Sequence, residues 1–193
     1  MSADPPLISL PALTAVERRA LLWLARTSIR TALGDPVSAV PIELTPALLE
    51  PAAAFVSLHQ ENRLRGCVGT VTPDKPLHET VAHMALCAAF EDPRFTPMSA
   101  AELPAVDIEI SRLSEMVPTR AEQVRPGLHG VCVARGERRA VFLPQVASQH
   151  QWDRETLLDE LCRKALLPAD AWRQSECSLM VFLAEVFGEG EGG

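Results

Sequence analysis

A strand-like run, Phe55-Val56-Ser57-Leu58-His59, meets a polar break at Gln60-Glu61-Asn62 and resumes as Arg63-Leu64-Arg65-Gly66-Cys67-Val68-Gly69-Thr70. That pattern predicts strand, turn, strand across residues 53–71. Upstream, Thr14-Ala15-Val16-Glu17 is a capping box, so a helix should open there, carry Leu21, Leu22, Leu24 and Ile29, and stop at Gly34 with Asp35-Pro36 beyond. Thr45-Pro46 opens at most a short helical turn. Leu77, Val81, Met84 and Ala88 recur at helical spacing and make Leu77 to Phe90 a second helix, leaving His78, Glu79 and His83 off the buried stripe. Ser99-Ala100-Ala101-Glu102 caps a short helix, and Val106 to Ser111 alternates as a half-exposed strand.

The second half repeats the theme of a hairpin followed by a helix. Residues 114–127 read as a connector. His129 to Ala134 and Arg139 to Pro144 flank Arg135-Gly136-Glu137-Arg138 as a hairpin. Residues 145–152 are partly helical, and Asp153 caps a helix carrying Leu157, Leu158, Leu161, Cys162 and Ala165 that ends near Pro168. Ala169 to Trp172 adds a turn. Cys177 to Phe187 is apolar on both faces apart from Ser178 and Glu185, as one central strand would be. Hairpins separated by helices predict an α+β fold with a mainly antiparallel sheet.

Composition narrows the function classes. The 193 residues are long enough to bury a real core, and a net charge of −7 argues against a phosphate-backbone binder. No apolar run reaches membrane-span length, and Met1-Ser2-Ala3-Asp4-Pro5-Pro6 is not a signal peptide. Five cysteines without a C-x-x-C pair speak against a disulfide framework and a zinc site, and for a reducing cytoplasm. His78 and His83 are five apart, not the four of a helical metal site. Phosphate-loop, dinucleotide, zinc-protease and serine-hydrolase motifs are all missing, so no cofactor is implied.

The chemistry concentrates at residues 63–70. Strand alternation points Arg65 and Cys67 to one face, their Cβ atoms roughly 6–7 Å apart. A nearby guanidinium favours the reactive thiolate, so Cys67 is a candidate nucleophile, with His59 on the paired strand the nearest candidate base and His129 the next. The other reading of Cys67 is a small buried hydrophobe. Gly66 and Gly69 would let a ligand approach the backbone. Glu91 to Met98 is a rigid loop held by Pro93 and Pro97. Its Asp92 and Arg94 either stand as a fixed pair beside a ligand or satisfy backbone groups at the helix end. Arg65 and Arg94 together could bind a carboxylate or phosphate.

The ordered set Leu64-Arg65-Gly66-Cys67-Val68-Gly69, Asp92-Pro93-Arg94-Phe95, His129-Gly130, Phe142-Leu143-Pro144-Gln145-Val146, Trp152, Cys162, Lys164-Ala165, Leu167-Pro168 and Trp172 resembles the AMMECR domain family, including its bacterial AmmeMemoRadiSam system protein A type. The resemblance implies a domain over about 15–187, after an N-terminal extension of 1–14 and before a frayed tail of 188–193. It further implies two lobes forming a cleft, with the Arg65-Gly66-Cys67 segment nearby, and Memo-like and radical-SAM proteins as partners. The family carries no settled activity. Where it has Lys-Ala-Gly-Leu-Pro, this chain has Leu166, which must either end its helix differently or hold a strained conformation. Three readings stand: an accessory enzyme component whose site of Arg65, Cys67, Asp92 and Arg94 takes a small anionic substrate, a non-catalytic interaction module, and, disfavoured by charge, a nucleic-acid-linked regulator.

Overall fold

The computed structural model describes residues 8–35 and 42–191. The expectations for residues 1–7, for Pro36 and for 192–193 lie outside that range. The chain divides into two units, one of Pro11–Leu113 with Glu185–Gly193, the other of Met1–Leu10 with Ser114–Ala184.

In the first unit, helix α1 (Ala15–Ala32) starts as the capping box requires. The Thr14 hydroxyl accepts from the Glu17 amide at 3.3 Å, and the Glu17 carboxylate accepts from the Thr14 amide at 2.7 Å. It ends at Gly34 in the left-handed region. A short α2 (Pro46–Leu49) precedes strands β1 (Ala54–Gln60) and β2 (Arg63–Gly69). Glu61 and Asn62 join these strands with φ of 52° and 61°, the paired left-handed turn that suits the twist of a tight hairpin. α3 (Leu77–Phe90) and β3 (Val106–Leu113) follow, and β8 (Ala184–Gly188) completes an antiparallel-rich sheet in the order β2-β1-β3-β8. Val56, Leu58, Ile108 and Ile110 on one face of the sheet pack with Leu21, Ala25 and Ile29 of α1 and Val81, Met84 and Ala88 of α3. Each fully buried valine, leucine or isoleucine among them contributes about 1.5–3 kcal/mol.

The second unit carries β4 (Val117–Thr119), β5 (Gly130–Arg135), β6 (Arg138–Phe142) and β7 (Ser178–Phe182) in the order β4-β7-β5-β6, with α4 (Pro144–His150) and α5 (Arg154–Lys164). Asp153 caps α5 by accepting from the Thr156 amide at 2.8 Å. Val131, Val133, Leu157, Leu158, Leu161 and Val181 form its core.

The sequence reading departs from this fold in several places. The apolar run 177–187 is two strands, because β7 and β8 join different sheets on either side of Leu183. The connector 114–127 contains β4 and a 3-10 turn at Ala121–Gln123. The Glu102 carboxylate accepts from the Ser99 amide, which is half of a capping box, yet only a 3-10 turn, Leu103–Ala105, follows, since Pro104 supplies no amide hydrogen to continue a helix. The tail is ordered further than expected: Gly188 closes β8, and the Glu189 carboxylate holds the Arg26 guanidinium. His78 lies off the buried stripe but is not simply solvated, since its Nδ1 bonds the Leu48 carbonyl oxygen at 2.9 Å. Leu166 does take the left-handed conformation, with φ of 57°.

Candidate functional site

β2 is an edge strand, with β1 on one side, and an edge leaves backbone groups without partners. The loop after α3 fills that role. The Asp92 carboxylate accepts from the Cys67 amide at 2.9 Å, while Arg94 Nη2 donates to the Cys67 carbonyl at 3.1 Å. One residue of the edge thus has both outward groups satisfied by side chains. The same carboxylate accepts from the Arg94 amide (3.1 Å), Nε (2.9 Å) and Nη2 (2.7 Å). Asp92 is buried, its side chain only 3% exposed, whereas that of Arg94 is 55% exposed.

These contacts set the electrostatics. The Arg94 guanidinium, with the Cys67 and Arg94 amides, holds the Asp92 carboxyl far below the usual carboxylate range against the opposing effect of burial. The bonded Asp92 in turn raises Arg94. Arg65 makes a second pair, Nε to Glu102 at 2.9 Å, with Nη2 donating to the Thr96 carbonyl at 2.8 Å. Glu102 is lowered to about 2 by Arg65, helped by the Ser99 amide and hydroxyl. The two guanidinium carbons lie 5.8 Å (Arg65) and 5.5 Å (Arg94) from the centre of the Phe95 ring, so both arginines converge on that one aromatic residue.

The register explains why Arg65 leaves Cys67. Leu58 faces Gly66 but His59 faces Leu64, so Arg65 is the extra residue of a bulge. Simple alternation fails there, and Arg65 turns to the 96–102 segment instead of standing beside the thiol. Arg94 is the cation at Cys67, joined through its carbonyl oxygen. The Cys67 sulfur, partly exposed, accepts from the Ser57 hydroxyl at 3.2 Å, a partner that the sequence reading did not identify. Among the described residues no histidine bonds this sulfur. His59 faces Leu64 and Asp107 across the sheet and lines a hollow of about 290 Å³ with Asn62, Glu109 and Glu189. His129 belongs to the other unit, where it is buried, its Nδ1 accepts from the Arg125 amide, and burial with the Arg125 charge lowers its pKa.

The glycines serve the protein itself. A Cβ on Gly66 would lie 2.2 Å from the Ala88 carbonyl oxygen of α3, and one on Gly69 would lie 2.2 Å from the Phe55 ring. The close approach expected of a ligand is thus made by α3 and Phe55. Among the described residues there is no cluster of three or more metal-ligating side chains, and no helix is long and apolar enough to cross a membrane.

Two antiparallel-rich sheets flanked by helices, with an edge strand clamped by an Asp-Pro-Arg-Phe loop, define a distinctive class of mixed helix-and-sheet protein. The chain belongs to the AMMECR1 family, which matches it over residues 22–187. It is 36% identical to a protein of Methanothermobacter thermautotrophicus, covering 90% of this chain and 94% of that one. A Methanopyrus kandleri protein is likewise 36% identical, covering 93% of this chain and 91% of its own length. The fold resembles the crystal structure of an uncharacterized protein from Pyrococcus horikoshii, with a TM-score of 0.81 and 34% identity over 88% of this chain and 89% of that one. These names assign no activity.

Proposed function

We propose that this AMMECR1-family protein is a cytoplasmic binding component. In this reading the Arg94 guanidinium beside Cys67 takes a small anionic group, a carboxylate or phosphate. The surface it forms with Phe95 and Arg65 is presented to Memo-like or radical-SAM partners, the partner class that the resemblance to AmmeMemoRadiSam system protein A implies. One observation carries the reading: Arg94 is held by Asp92 at Nε and Nη2 and is nonetheless 55% exposed. A guanidinium oriented in advance loses less side-chain freedom when it binds, and with Nε and Nη2 committed to Asp92 and the Cys67 carbonyl, Nη1 is the nitrogen that would donate to a carboxylate or phosphate. Because Asp92 neutralises the charge locally, recognition would rest on hydrogen-bond geometry more than on a broad positive field.

A Cys67-dependent reaction is the second reading. It draws on a partly exposed thiol 3.2 Å from the Ser57 hydroxyl, but Ser57 is a donor here and not a base. Titration with inorganic phosphate and with malonate, followed by the NMR shifts of Arg94 Nε–H and the Cys67 amide, tests the binding reading. Both signals should move together in the wild type, and the Cys67 amide, the signal that the variants keep, should move less in Arg94→Lys and not at all in Arg94→Gln. Shifts that are absent in the wild type, or equal in all three proteins, would remove the anion site. Fast iodoacetamide labelling confined to Cys67 would then favour the thiol reading.

A further inference from the structure

The second unit holds a hollow of about 590 Å³, lined from the end of β4 and the 3-10 turn after it, from α5 and from the 3-10 helix Ala169–Arg173. That volume is in the range of small-molecule sites. One wall is fixed in advance. The Trp172 indole nitrogen donates to Asp159 at 2.8 Å, which sets the ring. The Arg173 guanidinium lies over that ring, its carbon 3.8 Å from the ring centre, and is tied at its edge by Glu155 at 3.1 Å, with Asp159 at 3.9 Å. One face of the guanidinium rests on the indole, and the side chain is still 46% exposed, so its other face is turned to the hollow. Arg120 lines the same hollow and is exposed. Its backbone amide donates to Gln123 Oε1 at 3.2 Å and its carbonyl accepts from the Thr119 hydroxyl at 3.3 Å, but its guanidinium makes no ion pair among the described residues.

We propose that this hollow binds a flat aromatic carboxylate, its ring stacked on Arg173 and its carboxylate taken by Arg120. A planar guanidinium stacks on aromatic faces, and the carboxylates that hold Arg173 engage its edge and leave its outer face open. Arg120 offers paired N–H donors, the geometry that matches a carboxylate. Charge selects among anions. Arg120 and Arg173 stand on the lining against Glu122 and Glu155, and Arg173 is already paired with Glu155. One guanidinium is left for one negative charge. A phosphate dianion or a polyphosphate would bring further charge toward Glu122, and like charges brought together oppose binding. The site is separate from Arg94, since all of its lining belongs to the second unit and Arg94 to the first.

The probe is β-naphthoate, compared with its uncharged analogue β-naphthamide and with AMP as a flat phosphate. Each is titrated into the full-length protein, and the NMR signals of Trp172 Nε1–H and Arg173 Nε–H are followed. With β-naphthoate both should shift saturably, Arg173 Nε–H moving upfield as the ring covers it. β-Naphthamide and AMP should each bind at least about tenfold more weakly, the first for want of a charge-assisted bond and the second for its excess charge. In Arg120→Gln, the affinity for β-naphthoate should fall to that for β-naphthamide. Equal binding of β-naphthoate and β-naphthamide by the wild type would overturn the proposal even if the variant failed to fold. AMP binding as tightly as β-naphthoate, full affinity retained in Arg120→Gln, or shifts confined to the Cys67 amide and Arg94 Nε–H would overturn it as well.

Discussion

Replacing Asp92 by asparagine exchanges one oxygen for an NH2 group and should cost far more than its size suggests. The carboxylate accepts four hydrogen bonds, from the Cys67 amide and from the Arg94 amide, Nε and Nη2, all at 2.7–3.1 Å. Asparagine has one oxygen. If that oxygen keeps the Arg94 amide and Nε, its NH2 group faces the Cys67 amide and Nη2, donors opposing donors. Leaving the Cys67 amide unpaired costs about 1–3 kcal/mol. Breaking a buried ion pair costs about 3–5 kcal/mol when the orphaned charge stays buried. Arg94 is 55% exposed and can rehydrate, so its share is smaller, and the total should be about 3 kcal/mol. Urea unfolding at neutral pH should show a lower midpoint with an unchanged slope, and the Cys67 amide should exchange faster with solvent. The wild-type pH profile carries the same information. Asp92 is depressed in the folded state, so its contribution is complete above the unfolded value of about 4 and fades as pH falls below it. Asp92→Asn should lack that portion of the acid slope. A loss under about 1 kcal/mol with the Cys67 amide still protected would show that the carboxylate does not hold the strand edge, and the argument would fail.

Three other changes test separate parts of the structure. Leu166 is 78% exposed and left-handed, so Leu166→Gly relieves about 1–2 kcal/mol of strain against about 0.5–1 kcal/mol of added unfolded-state freedom and should raise the melting temperature slightly; a lower one would refute the strain. Gly66→Ala sets a methyl group 2.2 Å from the Ala88 carbonyl oxygen and should cost about 1–3 kcal/mol by prising β2 from α3, so a neutral result in urea unfolding would contradict the packing. Glu102→Gln should remove stability that the wild type has above about pH 4.5 and loses as pH falls toward 2. The Glu102 side chain is 30% exposed, so solvent screening holds this to about 1 kcal/mol, and an unchanged acid profile would count against the Arg65 pair.

Local grammar carried most of the fold because its signals need no distant partner. Thr14 with Glu17, Asp153 with Thr156, and the spacing of Leu77, Val81, Met84 and Ala88 each act within a turn or two of chain, and the structure has the element that each implied. The site was legible as a place but not as an arrangement. A regular two-residue hairpin would set Ser57 opposite Gly66, whereas the bulge at Arg65 sets it opposite Cys67. That single inserted residue decides which side chain bonds the sulfur and which arginine stands near it. Gly66 in a strand interior was a true signal of close approach, but the approaching group is the Ala88 carbonyl of a helix some twenty residues later in the chain, and no local pattern names it.

The run 177–187 shows the same limit on a larger scale. Residues apolar on both faces fit a central strand, which needs cover on either side. They fit equally well a segment that serves two sheets, with β7 paired to β4 and β5 on one side of Leu183 and β8 joining the sheet of β3 on the other. Hydrophobicity records that a side chain is covered and is silent on what covers it. The cysteines follow the same logic. Cys162 sits at a buried helical position and Cys177 opens the apolar run, so each reads as packing when taken alone. The structure keeps both in the core of the second unit, Cys162 on α5 fully buried and Cys177 half-buried ahead of β7, and burial raises both thiols. What covers each sulfur is set by elements far apart in the chain, which no local pattern around either cysteine records.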